Sequence, residues 1–274
     1  MLEIENVSYC YKAGRYAVRD ASLKVGEGEF VAIAGRNGSG KTTLTRLVMG
    51  LLRPAAGKIM LDGRETAGSA TAVIARQVGY VFQNPDRQIF RDAVAEEVAY
   101  GPEQLGFSAG EVREAVAAAL EATGLAALAA AYPRTLSKGQ KQRLAIASAL
   151  ALSPRLLILD EPTSGQDARE KTALMELLTG LNAKGMAILL VTHDMELLAR
   201  YAHRAVVMTA GRVVFDGGVR ELFAGEADVS AWGLREPAAA KVARGLKDHG
   251  VMSGSVVPEE LCGEICATRR RLYA

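Results

Sequence analysis

Gly35-Arg36-Asn37-Gly38-Ser39-Gly40-Lys41-Thr42 follows a short apolar run, Glu29–Ala34, and leads into a helix-compatible stretch, Lys41–Leu52. The spacing is GxxxxGK[ST], and the strand before it and helix after it are the context this pattern requires. Glycines let the backbone curl so that successive N–H groups point at phosphate oxygens. The helix that starts there adds the positive end of its dipole. Lys41 is spaced to reach β- and γ-phosphates, and Thr42 to offer a hydroxyl to Mg²⁺. Gly35 to Thr43 is therefore the expected ATP-binding loop of an α/β chain.

A second element is expected to complete that site. Leu156–Leu159 is a four-residue apolar run ending in Asp160 and Glu161. Such a run reads as a buried strand whose end presents two acids. Asp160 is placed to hold Mg²⁺. Glu161 is placed to polarise the attacking water as a general base.

Outward from these motifs the chain alternates. Leu2–Tyr11 and Tyr16–Val25 carry near period-two apolar residues around Lys12–Arg15 and predict a strand pair. Lys58–Leu61 and Gln77–Phe82 read as short strands. The helix from Lys41 is expected to run to Leu52, where Pro54 stops it. Phe107–Ala131 reads as helical, with Ser108 and Glu111 set as a capping box. Tyr132-Pro133 breaks that pattern, and a second helix is expected from Ser137 to Ala151. Residues from about 84 to 153 thus form a mostly helical insertion. Strand and helix then resume with Ala168–Leu181, capped by Asp167, with Ala187–Thr192, and with a hairpin over Arg204–Phe215 turning at Ala210-Gly211. Beyond about residue 225 the signals weaken, through a tail that includes Arg269-Arg270-Arg271.

Composition narrows the classes. The sequence has 274 residues, 33 Lys and Arg against 31 Asp and Glu, and a net charge of +2. A near-neutral balance does not imply a broad nucleic-acid face. Cys10, Cys262 and Cys266 make no disulfide framework and suit a reducing compartment. The start, Met1-Leu2-Glu3-Ile4-Glu5, lacks the basic and apolar regions of a secretory signal. No apolar run approaches the ~20 residues of a membrane-spanning helix. Work at a membrane would need another subunit to hold this chain there.

A family comes into view at Leu136-Ser137-Lys138-Gly139-Gln140, which resembles the LSGGQ signature of ATP-binding cassette (ABC) ATPases. Lys141–Ala147 continues the resemblance. Gln83 stands where the family has its Q-loop glutamine, Ser164–Asp167 where it has the D-loop, and His193 where it has the switch histidine. Tyr11 matches the aromatic that stacks on adenine. The resemblance spans Leu2–Gly225. It implies an ABC-type P-loop core with an N-terminal antiparallel β subdomain, an inserted helical subdomain at about 84–153, and a small C-terminal extension over 226–274. It also implies that Ser137, Gly139 and Gln140 face the ATP of a second cassette, in a homodimer or heterodimer. Gln83 would join Thr42 and Asp160 at Mg²⁺, and His193 would orient the water. Lys41, Gln83, Glu161 and His193 form the implied catalytic set. Two positions depart from the pattern: Lys138 replaces a common glycine, and Gln166 a common leucine.

Gln83-Asn84-Pro85-Asp86-Arg87-Gln88 narrows the resemblance to ATPases of energy-coupling factor importers of cobalt and vitamins, and Val94–Pro102 extends it. In that group the segment meets a membrane-embedded coupling subunit, and a separate membrane subunit binds the cargo. The expectation is an ATPase on the cytoplasmic face of a membrane, with no nucleic-acid partner. A soluble ABC ATPase acting on nucleic acid or ribosomes is the alternative, and it usually carries two fused cassettes or a long coiled-coil insertion. A non-hydrolysing sensor would need a broken catalytic set, whereas Lys41, Asp160, Glu161 and His193 are all present.

Overall fold

Short apolar runs alternating with helices have one stable arrangement, a parallel sheet buried on both faces. The computed structural model describes residues 1–12, 14–224, 228–246 and 254–272, with the side chains of 224 and 270–272 excepted. Its strands are β1 (Leu2–Lys12), β2 (Arg15–Val25), β3 (Phe30–Ala34), β4 (Ala56–Leu61), β5 (Arg64–Glu65), β6 (Val78–Val81), β7 (Leu156–Asp160), β8 (Ala187–Val191), β9 (Arg204–Thr209) and β10 (Arg212–Gly218). They form two sheets. The first is antiparallel, in the order β2-β1-β4-β5, and the second has six strands in the order β10-β9-β3-β8-β7-β6. Every residue of β3, β6, β7 and β8 is buried.

In the six-stranded sheet only β10 runs antiparallel to its neighbour. The register sets Ile33 beside Val191, Val191 beside Asp160, and Leu159 beside Val81. The carboxyl ends of β3, β8, β7 and β6 therefore form one row. The β9–β10 turn, Ala210-Gly211, lies against the same edge. Its Gly211 N–H donates to the Ser39 carbonyl at 3.0 Å, and the Gly211 carbonyl accepts from Arg19 N–H at 2.8 Å. This turn joins the antiparallel sheet to the loop after β3.

The helices are α1 (Lys41–Val48), α2 (Thr71–Ala75), α3 (Val94–Gln104), α4 (Ala109–Ala122), α5 (Lys138–Leu150), α6 (Ala168–Ala183), α7 (Met195–Tyr201), α8 (Val219–Ala224), α9 (Ala238–Gly245) and α10 (Pro258–Leu272). Ser108 and Glu111 make the expected capping box on α4, and Asp167 caps α6. Two helices stop earlier than the periodicity suggests, both for the same reason. Gly50, at φ +67°, donates to the Leu47 carbonyl, and Leu51 N–H donates to the Arg46 carbonyl. Gly124, at φ +66°, and Leu125 repeat that pair of bonds on Glu121 and Leu120. Each glycine closes its helix with a Schellman motif. So α1 ends at Val48 rather than Leu52, and α4 at Ala122 rather than Ala131.

α5 is buried around most of its circumference. Ala145, Ile146 and Ala149 pack on the β7–β8 side with Leu157, Leu174 and Leu190. Leu144, Ala147 and Ala151 pack with Val94, Val98, Leu120 and Leu125. Such a helix belongs to two cores at once. Its start is fixed by Ser137, whose Oγ accepts from Gln140 N–H while Gln140 Oε1 accepts from Ser137 N–H.

The described residues past β10 pack into the body of the chain. Leu222, Phe223, Val229 and Leu234 pack with Leu198, Ala205 and Val207. Ala239 and Ala243 of α9 meet Leu261 of α10. Arg220 pairs with Glu260 at 2.7 Å, and Arg200 with Glu259. Cys10, Cys262 and Cys266 are free thiols. Ala13, in the β1–β2 connection, and the side chains of Arg270 and Arg271 lie outside the described residues. Among the described residues no helix is long and apolar enough to cross a membrane.

One contact ties this tail to the glycine loop after β3. Gly233, at φ +70°, has the Arg36 side chain lying where a Cβ would project. Gly233→Ala is expected to lower Tm, through the strained φ and through collision with Arg36. In an Arg36→Ala background the loss should shrink, with a coupling of about 0.5–3 kcal/mol in a thermal-unfolding double-mutant cycle.

Candidate functional site

The loop after β3 opens a cavity of about 780 Å³ at the row of strand ends. Its lining includes Tyr11, Asn37, Gly38, Ser39, Gly40, Lys41, Thr42, Thr43, Gln83, Glu161 and His193. The sheet order explains the gathering. The glycine loop follows β3, His193 follows β8, Glu161 follows β7, and Gln83 follows β6. Residues up to 182 positions apart in sequence, Tyr11 and His193, thus share one mouth, at the carboxyl ends where open α/β sheets bind ligands.

Lys41 is buried, and its Nζ donates to the carbonyls of Gly35 at 2.7 Å and Arg36 at 3.1 Å. Burial pulls its pKa below the ordinary lysine value, opposed by Glu161 and Asp160. The loop's own carbonyls hold the ammonium beneath the curled N–H groups. Gly35 and Arg36 act here through their backbone carbonyls.

Asp160 ends β7 and is also buried. Its Oδ1 accepts from the Thr42 hydroxyl at 3.1 Å. Burial pushes the Asp160 pKa up, against the pull of Thr42, Arg46 and Lys41. Behind it, the Tyr80 hydroxyl is 3.1 Å from Thr45 Oγ1, and burial raises its pKa to about 12. A hydroxyl and a carboxylate at this separation are hard oxygen donors that fit Mg²⁺. Among the described residues no group of three or more His, Cys, Asp or Glu side chains is arranged to hold a metal alone. A cation between Thr42 and Asp160 would therefore complete its shell with phosphate oxygens and water, the usual habit of Mg²⁺.

Glu161 sits at φ +51°, in the left-handed region, which swings the chain out of β7 immediately after Asp160. Non-glycine residues held there cost of order 1 kcal/mol and cluster at functional sites. Its N–H donates to the Val191 carbonyl at 2.9 Å, which fixes the turn to β8. The Glu161 side chain is 9% exposed, and Oε2 lies 2.6 Å from His193 Nδ1. Burial raises the Glu161 pKa, and the contact with His193 opposes it. With the carboxylate ionised, Nδ1–H is the donor and Nε2 is left toward the cavity. The carboxylate and the imidazole are thus one hydrogen-bonded unit built from the ends of β7 and β8.

Tyr11 stands at the cavity rim, 55% exposed, with its hydroxyl 3.3 Å from Thr43 Oγ1 and its ring edge-on to Tyr9. The strand pair also brings Tyr16, Lys12 and Arg15 to that rim, which the motif reading missed. Their only sequence signal is position: Tyr16 pairs with Cys10 across β1–β2, next to Tyr11. Gln83 is exposed at the cavity edge.

Ser137, Gly139 and Gln140 do not join this group. They line a separate cavity of about 560 Å³ with Gln166, Asp167 and Glu170. The Gln140 side chain is occupied by the α5 cap. Lys138 extends along its own chain to Gly165, and the Gln166 amide donates to the Pro162 carbonyl at 3.2 Å.

Comparison with known proteins agrees with this arrangement. Residues 18–164 match the family described as "ABC transporter". A protein of Methanothermobacter thermautotrophicus named energy-coupling factor transporter ATP-binding protein EcfA is 38% identical over 252 residues, 91% of this chain and 81% of that protein. A Methanosarcina acetivorans protein named for ABC transporter ATP binding is 45% identical over 248 residues, and the aligned part spans only 40% of its length. Among solved structures, cbiO1 from Clostridium perfringens, described as part of the ABC transporter complex cbiONQ, superposes with TM-score 0.77 at 34% identity, covering 89% of this chain and 98% of that one. The ATP-binding cassette MJ0796, in a dimeric post-hydrolysis state with ADP and Pi, gives TM-score 0.72 at 31% identity, covering 80% and 99%.

The two buried acids have a consequence for stability. Each holds its proton to higher pH in the folded chain than in the unfolded one. Folding therefore takes up protons above the ordinary carboxylate range near pH ~4, and stability falls as pH rises through that window. Asp160→Asn and Glu161→Gln should each raise Tm of the nucleotide-free protein at pH 7 and flatten its fall above pH ~4. Thermal unfolding at stepped pH checks this.

Proposed function

The chain belongs to the ABC transporter family, whose ATP-binding cassettes are ATPases, and we propose that it is the motor subunit of an energy-coupling factor type importer. It would power uptake of a metal ion such as cobalt or nickel, or of a vitamin, from the cytoplasmic face of a membrane. The observation that carries the ATPase reading is the convergence of Lys41, Thr42, Gln83, Glu161 and His193 on one cavity.

In this reading the loop N–H groups and Lys41 bind the ATP phosphates, and Tyr11 stacks on the base. Thr42, Asp160 and Gln83 hold Mg²⁺, which screens the phosphate charge when bound. Glu161 accepts a proton from water as its oxygen attacks the γ-phosphorus, and ADP leaves. The Nε2 of His193, held by the Nδ1 bond to Glu161, faces the γ-phosphate. Glu161 is suited to the base role because burial raises its pKa toward the working range. Ser137 and Gly139, which stand apart from this cavity, serve the ATP of a second cassette. The dimeric state of MJ0796 supports that pairing.

A third cavity supports the membrane partner. It is about 980 Å³, lies between α3 and α4, and is lined by Ala95, Ala99, Val112, Val116 and Ala117 together with Glu96, Glu103, Glu121, Arg91 and Arg113. Phe90, 61% exposed, packs edge-on to Tyr100, and the Arg91 guanidinium lies 4.7 Å from the Tyr100 ring centre. The buried Glu97 carboxylate accepts from both Phe90 and Arg91 N–H at 2.9 Å and sets that clamp. An apolar groove lined by charges of both signs suits an amphipathic helix that lays its apolar face into it. The likeness to cbiO1 supports a membrane complex as its owner.

Glu161→Gln should retain ATP binding, accumulate an ATP-dependent dimer and lose about 10²–10⁴-fold in turnover. Unchanged turnover would remove Glu161 from its role. Ala117→Arg, placed in the α3–α4 groove, should abolish co-purification with a multi-helix membrane protein from detergent-solubilised membranes, while basal ATPase stays within about twofold because arginine is a good helix former. A soluble complex with nucleic acid and no membrane subunit would overturn the importer reading.

A further inference from the structure

The phosphate-accepting end of α5 already has an anion on it. Glu170, in the first turn of α6, places Oε1 3.5 Å from the Ser137 hydroxyl oxygen. A Cβ built on Gly139 would come within 2.7 Å of that same oxygen. Ser137 and Gly139 are the two residues proposed above to meet the γ-phosphate held by a second cassette. The carboxylate backbone is fixed, since Glu170 N–H donates to Asp167 Oδ1 at 2.8 Å in the α6 cap.

Arg143 and Arg169 line the same cavity, but neither is ion-paired with this carboxylate. Among the described residues Glu170 forms no ion pair. Lys138, its nearest candidate in the signature, directs its ammonium to Gly165 instead. Asp167 adds a second acid to the same cavity. What holds Glu170 there is the helix end itself. The first N–H groups of α5 favour a negative charge, and the Ser137 hydroxyl can donate to it.

We infer that Glu170 is a gate residue, an internal anion that occupies the signature end of α5 and competes with the γ-phosphate of ATP on the facing cassette. Two anions cannot share Ser137 and Gly139 at contact distance without strong repulsion. Closure of the dimer over ATP must therefore swing the Glu170 side chain away. The ATP concentration at which two copies close is set partly by that displacement. The departure that the signature shows at Lys138 belongs to the same device, because a lysine drawn to Gly165 makes no ion pair with Glu170. The inference rests on the two-cassette reading of the site.

The test uses the full chain in the Glu161→Gln background, where ATP is bound and hardly turned over. Sedimentation measures the dimer fraction against ATP concentration at low and high salt. Adding Glu170→Gln keeps the side chain's size and its reach to Ser137 but removes the charge. The ATP needed for half-dimerisation should fall about 3- to 10-fold at low salt, and the difference should narrow at high salt, as screening requires. ATP affinity of the monomer, read by equilibrium binding under dilute conditions, should not move, because Glu170 lies outside the P-loop cavity. A dimerisation curve that is unchanged, or shifted to higher ATP, overturns the gate while leaving the two-cassette reading intact. If the Glu161→Gln parent binds ATP and stays monomeric at every concentration, pairing of two copies fails, and the gate fails with it.

Discussion

Everything in this molecule depends on the common register of β3, β8, β7 and β6. Because the four strands are parallel and end in one row, the groups that follow them emerge on one edge. Parallel pairing demands crossovers, and the crossovers demand helices on both faces. That is why every residue of these strands is buried. The apolar strands are rigid enough to hold polar groups at their tips, and the tips are where the chemistry sits.

The site is built from charges that burial disfavours. Lys41, Asp160 and Glu161 are all shifted toward their neutral forms, with desolvation as the leading cause in each. The left-handed backbone at Glu161 adds strain. A ligand carrying phosphates and a divalent cation would relieve these costs, and binding energy and folding energy would then be linked at one place. The arrangement trades stability of the nucleotide-free chain for a site ready to meet charge.

Helix α5 is the packed link between the six-stranded sheet and the α3–α4 pair. It shares one core with the six-stranded sheet and another with α3 and α4. Lys141 on α5 pairs with Asp86 at 2.8 Å, in the turn that follows Gln83. Glu97 on α3 holds the backbone of Phe90 and Arg91 at the groove. A displacement at Gln83 or at the start of α5 therefore has stiff, packed elements to push against before it reaches the α3–α4 groove. Close-packed interiors transmit such shifts because they cannot absorb them.

The sequence alone was enough for the local decisions. The glycine loop, the apolar run ending in Asp160-Glu161, the Ser108 and Ser137 caps and the Ala210-Gly211 turn each follow from residues within a few positions of one another. Local physics also held the signals for Gly50 and Gly124, whose Schellman bonds end α1 and α4, but apolar periodicity ran past them. Other features came only from the tertiary structure. The Glu161–His193 bond joins residues 32 positions apart, and Thr42 meets Asp160 across 118. Tyr16 reaches the rim because of its pairing register with Cys10, and Glu170 reaches Ser137 because α6 starts beside α5. Spacing along a chain fixes caps, turns and loops, since those bonds close within a turn or two. It cannot fix which side chains face each other across a sheet or between helices, since strand order and packing settle that. The phosphate loop was legible from eight residues, and the partners that make it a site were decided by how the strands line up.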